Sequence, residues 1–171
     1  MTSLITFGGN ADFVFLLVNA RVEFLVIGGL AVAFHKCRSG LNVDDLDLLM
    51  NPSVENVKRF IDVLEGLNVC SLPSVEQWAR PNLRINFRPF YYLDVLTPGE
   101  EVTGEYINFS ELLSRSEQGW LQGNQGDIPV NIISLPDLVK MKRKAVQKLS
   151  EEKKKHEDDL RCLEARLASR F

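Results

Sequence analysis

The sequence has no apolar run long enough to cross a membrane. Its longest, Phe24 to Phe34, is about half of the roughly 20 residues a span requires, and Gly28 and Gly29 fall inside it. Nor does a basic segment lead into an apolar one at the start: Met1 to Phe7 carries no Lys or Arg, and Asp12 interrupts the apolar residues that follow. A secretory signal is therefore not expected. Cysteine is scarce. Cys37, Cys70 and Cys162 are far apart, odd in number and form no CxxC pair, which reads as three reduced thiols in a cytoplasmic protein and argues against structural zinc or a disulfide framework. Internal repeats and low-complexity linkers are also lacking. What remains, 171 residues of which 45% are apolar, suits one compact domain with a core of useful size.

Net charge is small, −3, but only on average. Through Val139 the chain carries 9 basic and 17 acidic residues; from Lys140 onward it carries 11 basic and 6 acidic. An acidic body at −8 therefore bears a basic tail at +5. Such a body is a poor non-specific binder of nucleic acid, so any nucleic-acid contact would lean on the tail. There Lys140, Lys144 and Lys148 form an i, i+4 stripe that either lines a phosphate-rich acceptor, such as an RNA end, or is a solvated helix face. No aromatics are interleaved to stack bases.

The pattern along the chain is mixed α/β. Phe13, Leu16, Leu17 and Ala20 recur at helical spacing behind Asn10 as a cap, giving a first helix over 10–22. Residues 23–27 read as a short buried strand, broken by Gly28-Gly29 and followed by a helix over 30–37. Asp45 to Met50 alternates acid and apolar residues before turning wholly apolar, as a strand buried at its far end would. Ser53 caps a helix to about Leu67 with Val57, Phe60, Ile61 and Leu64 on one face. Strands over 83–87 and 91–96 flank Arg88-Pro89, and a hairpin of 120–122 with 128–133 turns around Asn124-Gln125-Gly126. Ser134-Leu135-Pro136-Asp137 is a capping-box-like start for a helix to about Leu149, and Ser150 caps a last helix to about Ala168. The division is a core over 1–134 and a helical segment over 135–171 packed on it, one compact domain in all.

Three acids stand apart. Asp45 and Asp47 are two apart on a strand and project from one face, with Leu46 on the other. Asp94 sits in the otherwise apolar Tyr91 to Leu96 run, where a carboxylate is costly to bury unless it is paired or binds a cation. On neighbouring strands the three would offer hard oxygen ligands to Mg²⁺ shared with substrate phosphates, as nucleotidyl transfer requires. The Gly28-Gly29 turn, after a strand and before a helix, lets backbone N–H groups approach a phosphate, or is an ordinary tight turn. Asp44, directly before the pair, reads as solvated or as a local cap.

Val26-Ile27-Gly28-Gly29-Leu30-Ala31-Val32, then His35, Arg38 and Asp45-Leu46-Asp47, resemble the Gly-Gly, His, Arg, Asp-x-Asp signature of the nucleotidyltransferase superfamily, with its polymerase-beta-like fold. The branch resembled is that of minimal, toxin-type (AbiEii-like) enzymes. The block from Arg84-Ile85-Asn86-Phe87 to Leu93-Asp94-Val95-Leu96-Thr97 is similar to the family's hairpin bearing the third carboxylate, and Asn108-Phe109-Ser110-Glu111 follows it. Ile133 to Val139 leading to Lys142 and Ala145, then Lys155-His156 and Asp159-Leu160, resemble the C-terminal helical pair. Two departures stand out: Leu30 replaces the Ser of the familiar turn, and the run from Arg38 to Asp45 is longer than the usual Arg-x-Thr-x-Asp, with Val43 near a polar position.

The resemblance implies a nucleotidyltransferase fold, a small mixed sheet flanked by helices with a C-terminal helical pair. It implies Asp45, Asp47 and Asp94 as catalytic metal ligands for Mg²⁺ or Mn²⁺, with Asp94 helping to deprotonate the acceptor. Gly28, Gly29, Arg38 and Lys142 would bind the nucleotide. His35 reads as a core-edge histidine bonded to backbone or as a substrate contact; His156 and Asp159, three apart on one helical face, orient Lys142 or form a solvated ionic face. The activity implied is transfer of a nucleoside monophosphate from a nucleoside triphosphate to a hydroxyl of an RNA end such as tRNA, a protein or a small molecule, with an antitoxin partner in the toxin-type case and no membrane partner. The alternative is a non-catalytic binding or interaction module on the same fold.

Overall fold

The structure is a computed structural model and describes residues 3–6, 9–39, 43, 45–69, 72–88, 91–148 and 153–171. Among these, seven strands form one sheet: β1 (Ser3–Leu4), β2 (Phe24–Ile27), β3 (Leu46–Met50), β4 (Arg84–Asn86), β5 (Leu93–Leu96), β6 (Glu117–Gly123) and β7 (Gly126–Ile132). Their order across the sheet is β1-β6-β7-β2-β3-β5-β4. The pairs β1/β6, β2/β7 and β3/β5 are parallel; β2/β3, β4/β5 and β6/β7 are antiparallel. The described helices are α1 (Asn10–Asn19), α2 (Gly28–Phe34), α3 (Val54–Gly66), α4 (Val75–Trp78), α5 (Glu100–Thr103), α6 (Phe109–Arg115), α7 (Leu135–Gln147) and α8 (Lys153–Ala168). This mixed sheet with flanking helices and a C-terminal helical pair is the architecture the sequence predicts.

The central strands are set by burial. All four residues of β2 are buried, and β3 and β5 bury every residue but one each. Those exceptions are Asp47 and Asp94. Ser53 caps α3 through the Asn56 N–H, and Ser134 caps α7 through the Asp137 N–H. The core is continuous into the tail, since Leu135, Leu138, Val139 and Leu163 belong to the same buried cluster as β2 and β3. Among the described residues no helix is long and apolar enough to cross a membrane.

Several expectations are corrected. Asn10 is the first residue of α1 and caps nothing; it is fully buried, and its Nδ2 donates to the Tyr92 carbonyl at 2.9 Å and to Thr6 Oγ1 at 3.0 Å. The inner face of α1 is Phe13, Val14 and Leu17, with Leu16 exposed. The paired strands of the hairpin are longer than expected, meeting at Gly123 and Gly126 across Asn124-Gln125. The basic stripe of α7 is solvated but ion-paired: Lys140 pairs with Glu105 at 2.7 Å, and Lys144 and Lys148 with Glu101 at 3.4 and 3.7 Å. Asp44, Cys70, Pro89 and Ser150 lie outside the described residues.

Cys37 and Cys162 are not reduced thiols but a disulfide, with Cα atoms 5.6 Å apart and a sequence separation of 125 residues. The bond ties the end of α2 to α8, two segments whose proximity only the tertiary fold creates. Closing so long a loop removes conformational freedom from the unfolded chain, so Cys162→Ser, or reduction with a dithiol, is expected to lower the unfolding free energy by about 2–4 kcal/mol in urea titrations. Equal stability in oxidised and reduced protein would contradict this.

Candidate active site

The site begins with a register. Asp47 of β3 stands opposite Ile27 of β2 on one side and Asp94 of parallel β5 on the other. Two carboxylates therefore lie side by side on the same face, their side chains only 20% and 18% exposed. Gly28, immediately after Ile27, has φ +66° and lets the chain turn from β2 into α2. A β-carbon there would collide with the Asp47 carboxylate, so glycine both makes the turn and leaves room for the acid. A β-carbon on Gly29 would sit 2.5 Å from Arg38 Nη1, so the second glycine likewise admits a functional side chain.

Each acid faces an arginine. Arg84, on the edge strand β4, places Nε 3.1 Å from Asp94 Oδ2 and Nη2 3.7 Å from Asp47 Oδ1. Arg88 donates to Asp45, which lies just before β3, and its guanidinium stands 5.6 Å from the centre of the Tyr92 ring. Burial pushes the Asp47 carboxyl up to about 6; Arg84 and Lys142 oppose the shift, and Asp94 and Asp45 add to it. Burial raises Asp94 as well, against the pull of Arg84. Among the described residues no three His, Cys, Asp or Glu side chains are grouped closely enough to hold a metal ion, consistent with Asp45 turning toward Arg88.

The facing wall comes from the C-terminal helices. Lys142 of α7 pairs with Asp159 of α8 at 3.0 Å and donates to His156 Nδ1 at 3.2 Å. Asp159 also takes a hydrogen bond from Arg38, so one buried carboxylate holds two cations. Burial lowers the Lys142 ammonium from its usual value, while Asp159 and, more weakly, Asp47 raise it. The two walls enclose a cleft of about 580 Å³.

Most of the sequence-predicted residues meet there: Gly28, Gly29, Arg38, Asp45, Asp47, Asp94, Lys142 and His156 line the cleft, and Asp159 stands behind Arg38 and Lys142. His35 does not line it. Its Nε2 meets the Ile133 carbonyl at 2.9 Å in the interior, where burial lowers its pKa against the pull of that carbonyl. Val43, buried, lines the cleft in the altered loop.

Sequence reasoning gave no role to Arg84, Arg88 or Asn82. A signal for the arginines exists: Arg84, Asn86 and Arg88 alternate with the apolar Ile85 and Phe87, and in the structure Arg84 and Asn86 are exposed on the edge strand while Arg88 is exposed just beyond it. Asn82, in the left-handed region at φ 59°, also lines the cleft, and its Oδ1 accepts from the first-turn N–H groups of Glu101 and Val102.

No family model matches the chain, and no curated protein matches it. Among solved structures it is similar to an antigenic nucleotidyltransferase-like protein from Paracoccidioides brasiliensis, with 13% identity and a TM-score of 0.44 over 90% of this chain and 75% of that one.

Two outcomes follow from the charges. Asp159→Ala leaves Lys142 and Arg38, 7% and 12% exposed, without their shared anion; it is expected to cost about 3–5 kcal/mol in denaturant unfolding, and an unchanged midpoint would contradict the arrangement. The Asp47 carboxyl, raised above its ordinary 3.8, favours the folded state below that pH and loses this contribution as pH rises through about 6. Asp47→Asn should therefore exceed the parent chain in stability above pH 6 by roughly 1–3 kcal/mol. The gain should vanish below 3.8, as thermal melts across pH would record.

Proposed function

We propose that the chain is a metal-dependent nucleotidyltransferase that moves a nucleoside monophosphate from a nucleoside triphosphate to a hydroxyl. The observation that carries this reading is the register that sets Asp47 beside Asp94 on the floor of a cleft whose opposite wall is Lys142 and Arg38.

Anionic oxygens on one side and fixed cations on the other suit a triphosphate that arrives with divalent ions. Asp47 and Asp94 fit Mg²⁺ or Mn²⁺ by their chemistry: hard oxygen donors, adjacent, mostly buried and with room made by Gly28. Asp45 would complete the set by leaving Arg88. When bound, such ions neutralise the triphosphate and make the attacking hydroxyl more acidic. Lys142, held by Asp159 and His156, would hold a phosphate oxygen from a fixed position. Arg38, fixed by Asp159 across Gly29, would do the same. Gly28 and Gly29 leave the backbone open to the phosphates. Asp94, the acid at the family's third-carboxylate position, would take the acceptor proton.

For the acceptor, a tRNA or other RNA end, a protein and a small molecule all remain within the proposal, and the toxin-type version adds an antitoxin partner. Lys148 and Lys155 are the tail cations that join Lys142 on the cleft lining, so an anionic acceptor would meet them.

One observation favours a second reading, a non-catalytic binding module: Arg84 and Arg88 already pair with all three acids. Calorimetric titration of Mg²⁺ with ATP, CTP, GTP and UTP separates the two. A metal-dependent nucleotide-binding event that disappears in Asp47→Ala is expected, with transfer of label from an α-labelled nucleotide. Absence of binding to all four, or binding untouched by Asp47→Ala, would overturn the proposal.

A further inference from the structure

The cations of the cleft are not held alike. Arg38 and Lys142 are 12% and 7% exposed and are locked by Asp159. Arg84 is 60% exposed and stands on β4, which among the described residues is the edge strand of the sheet. Its side chain can leave its partners at little structural cost, which theirs cannot.

Its present contacts matter as much as its freedom. Nε lies 3.1 Å from Asp94 Oδ2 and Nη2 3.7 Å from Asp47 Oδ1, so a single guanidinium straddles both inner carboxylates. These are the oxygens through which the pair would take a divalent ion, and a guanidinium and a metal cannot share them. A guanidinium is also a planar fork matched to phosphate oxygens as well as to carboxylates. Arg84 lines the same cleft as Gly28, Gly29 and Lys142. A phosphate bound there lies within reach of a side chain that has only to rotate away from the acids.

We propose that Arg84 is an exchangeable counter-ion. It rests on Asp47 and Asp94, competes there with a divalent ion presented alone, and passes to the triphosphate when nucleotide and metal enter together. This inference rests on the nucleotidyltransferase reading and adds an order to it: nucleotide draws Arg84 away, and the freed carboxylates become available as ligands. Metal binding is thereby coupled to the presence of nucleotide. The exchange conserves charge pairing, because the cation that leaves the carboxylates is replaced by the one the nucleotide brings.

The test measures Mn²⁺ binding by electron paramagnetic resonance and calorimetry, in the parent chain and in Arg84→Ala, with and without a non-hydrolysable triphosphate. Arg84→Ala removes an exposed edge side chain, and a thermal melt confirms folding; Arg84→Lys, which keeps one charge but loses the fork, serves where the alanine variant does not fold. Without nucleotide, Arg84→Ala is expected to bind Mn²⁺ about tenfold more tightly than the parent. With Mn²⁺ present it should bind the triphosphate at least about threefold more weakly. Arg84→Lys should fall between the two. A side chain that merely supports the fold would not move the two affinities in opposite directions.

Equal or weaker Mn²⁺ binding in Arg84→Ala, or an unchanged triphosphate affinity, would overturn the role of Arg84 while leaving the nucleotidyltransferase reading standing, provided the parent binds Mn²⁺ with nucleotide. Failure of the parent to bind Mn²⁺ under any of these conditions would overturn both.

Discussion

The pairing of β3 with β5 places two aspartates side by side within strands that are otherwise apolar, and much of the surrounding structure answers that charge. Ionised carboxylates lose hydration when buried, and neighbours of like charge raise the cost. Compensation arrives from three directions. Gly28 yields the volume that lets Asp47 sit against the turn. Arg84 reaches in from the sheet edge to both acids. Lys142, across the cleft, acts on Asp47 at longer range, each favouring the other's charged form. Burial still wins at Asp47, whose carboxyl remains well above the usual range. A cleft that tolerates such a cost in place of an apolar contact is the feature that sets this region apart from ordinary packing.

The cationic wall depends on the attachment of the tail. Asp159 of α8 holds both Arg38, just after α2, and Lys142 of α7, so the wall exists only while three segments meet. The Cys37–Cys162 bond joins the same two outer segments, one residue before Arg38 and three after Asp159. Covalent and ionic ties thus reinforce one junction. From the other side, Lys140, Lys144 and Lys148 tie α7 to Glu101 and Glu105 around α5. Exposed pairs of this kind contribute little individually. Their placement matters more, because they spend the positive stripe on holding α7 in place and leave Lys142, on another face of the helix, turned to the acids.

What could be read from sequence follows the range of each interaction. Strand β2, the glycine turn, α3 and α7 came from local signals: a continuous apolar run, a glycine pair, and serine caps ahead of a periodic face. Asp47 stood out as half of the Asp45-Leu46-Asp47 pair, and Asp94 as the single acid in an apolar strand. The four-residue helices α4 and α5 are too short to show a period, and α6 was visible only as a motif block. Arg84 needed the β4/β5 register, which no local pattern supplies. The disulfide needed two segments 125 residues apart to be neighbours. The lysine stripe had a pattern that fits a wet face, a phosphate wall or a row of ion pairs equally, and only the position of Glu101 and Glu105 decides among them.

The separation of an acidic body from a basic tail now has a structural meaning. The two signs meet in one cleft, where Asp47 and Asp94 face Lys142 and Arg38, and the acids are already partnered by arginines. A site of near-balanced charge does not gain much by admitting one ion of either sign, since each would leave an opposite partner uncompensated at low dielectric. A ligand that brings both signs, an anionic chain with its own divalent cations, meets no such obstacle: each of its charges replaces a partner of the same sign. On the proposed reading this favours metal and triphosphate arriving as one complex over either alone. The pairing that gives the second, non-catalytic reading its support is then the same pairing that would select for the joint ligand, and the two readings differ only in whether the arginines let go.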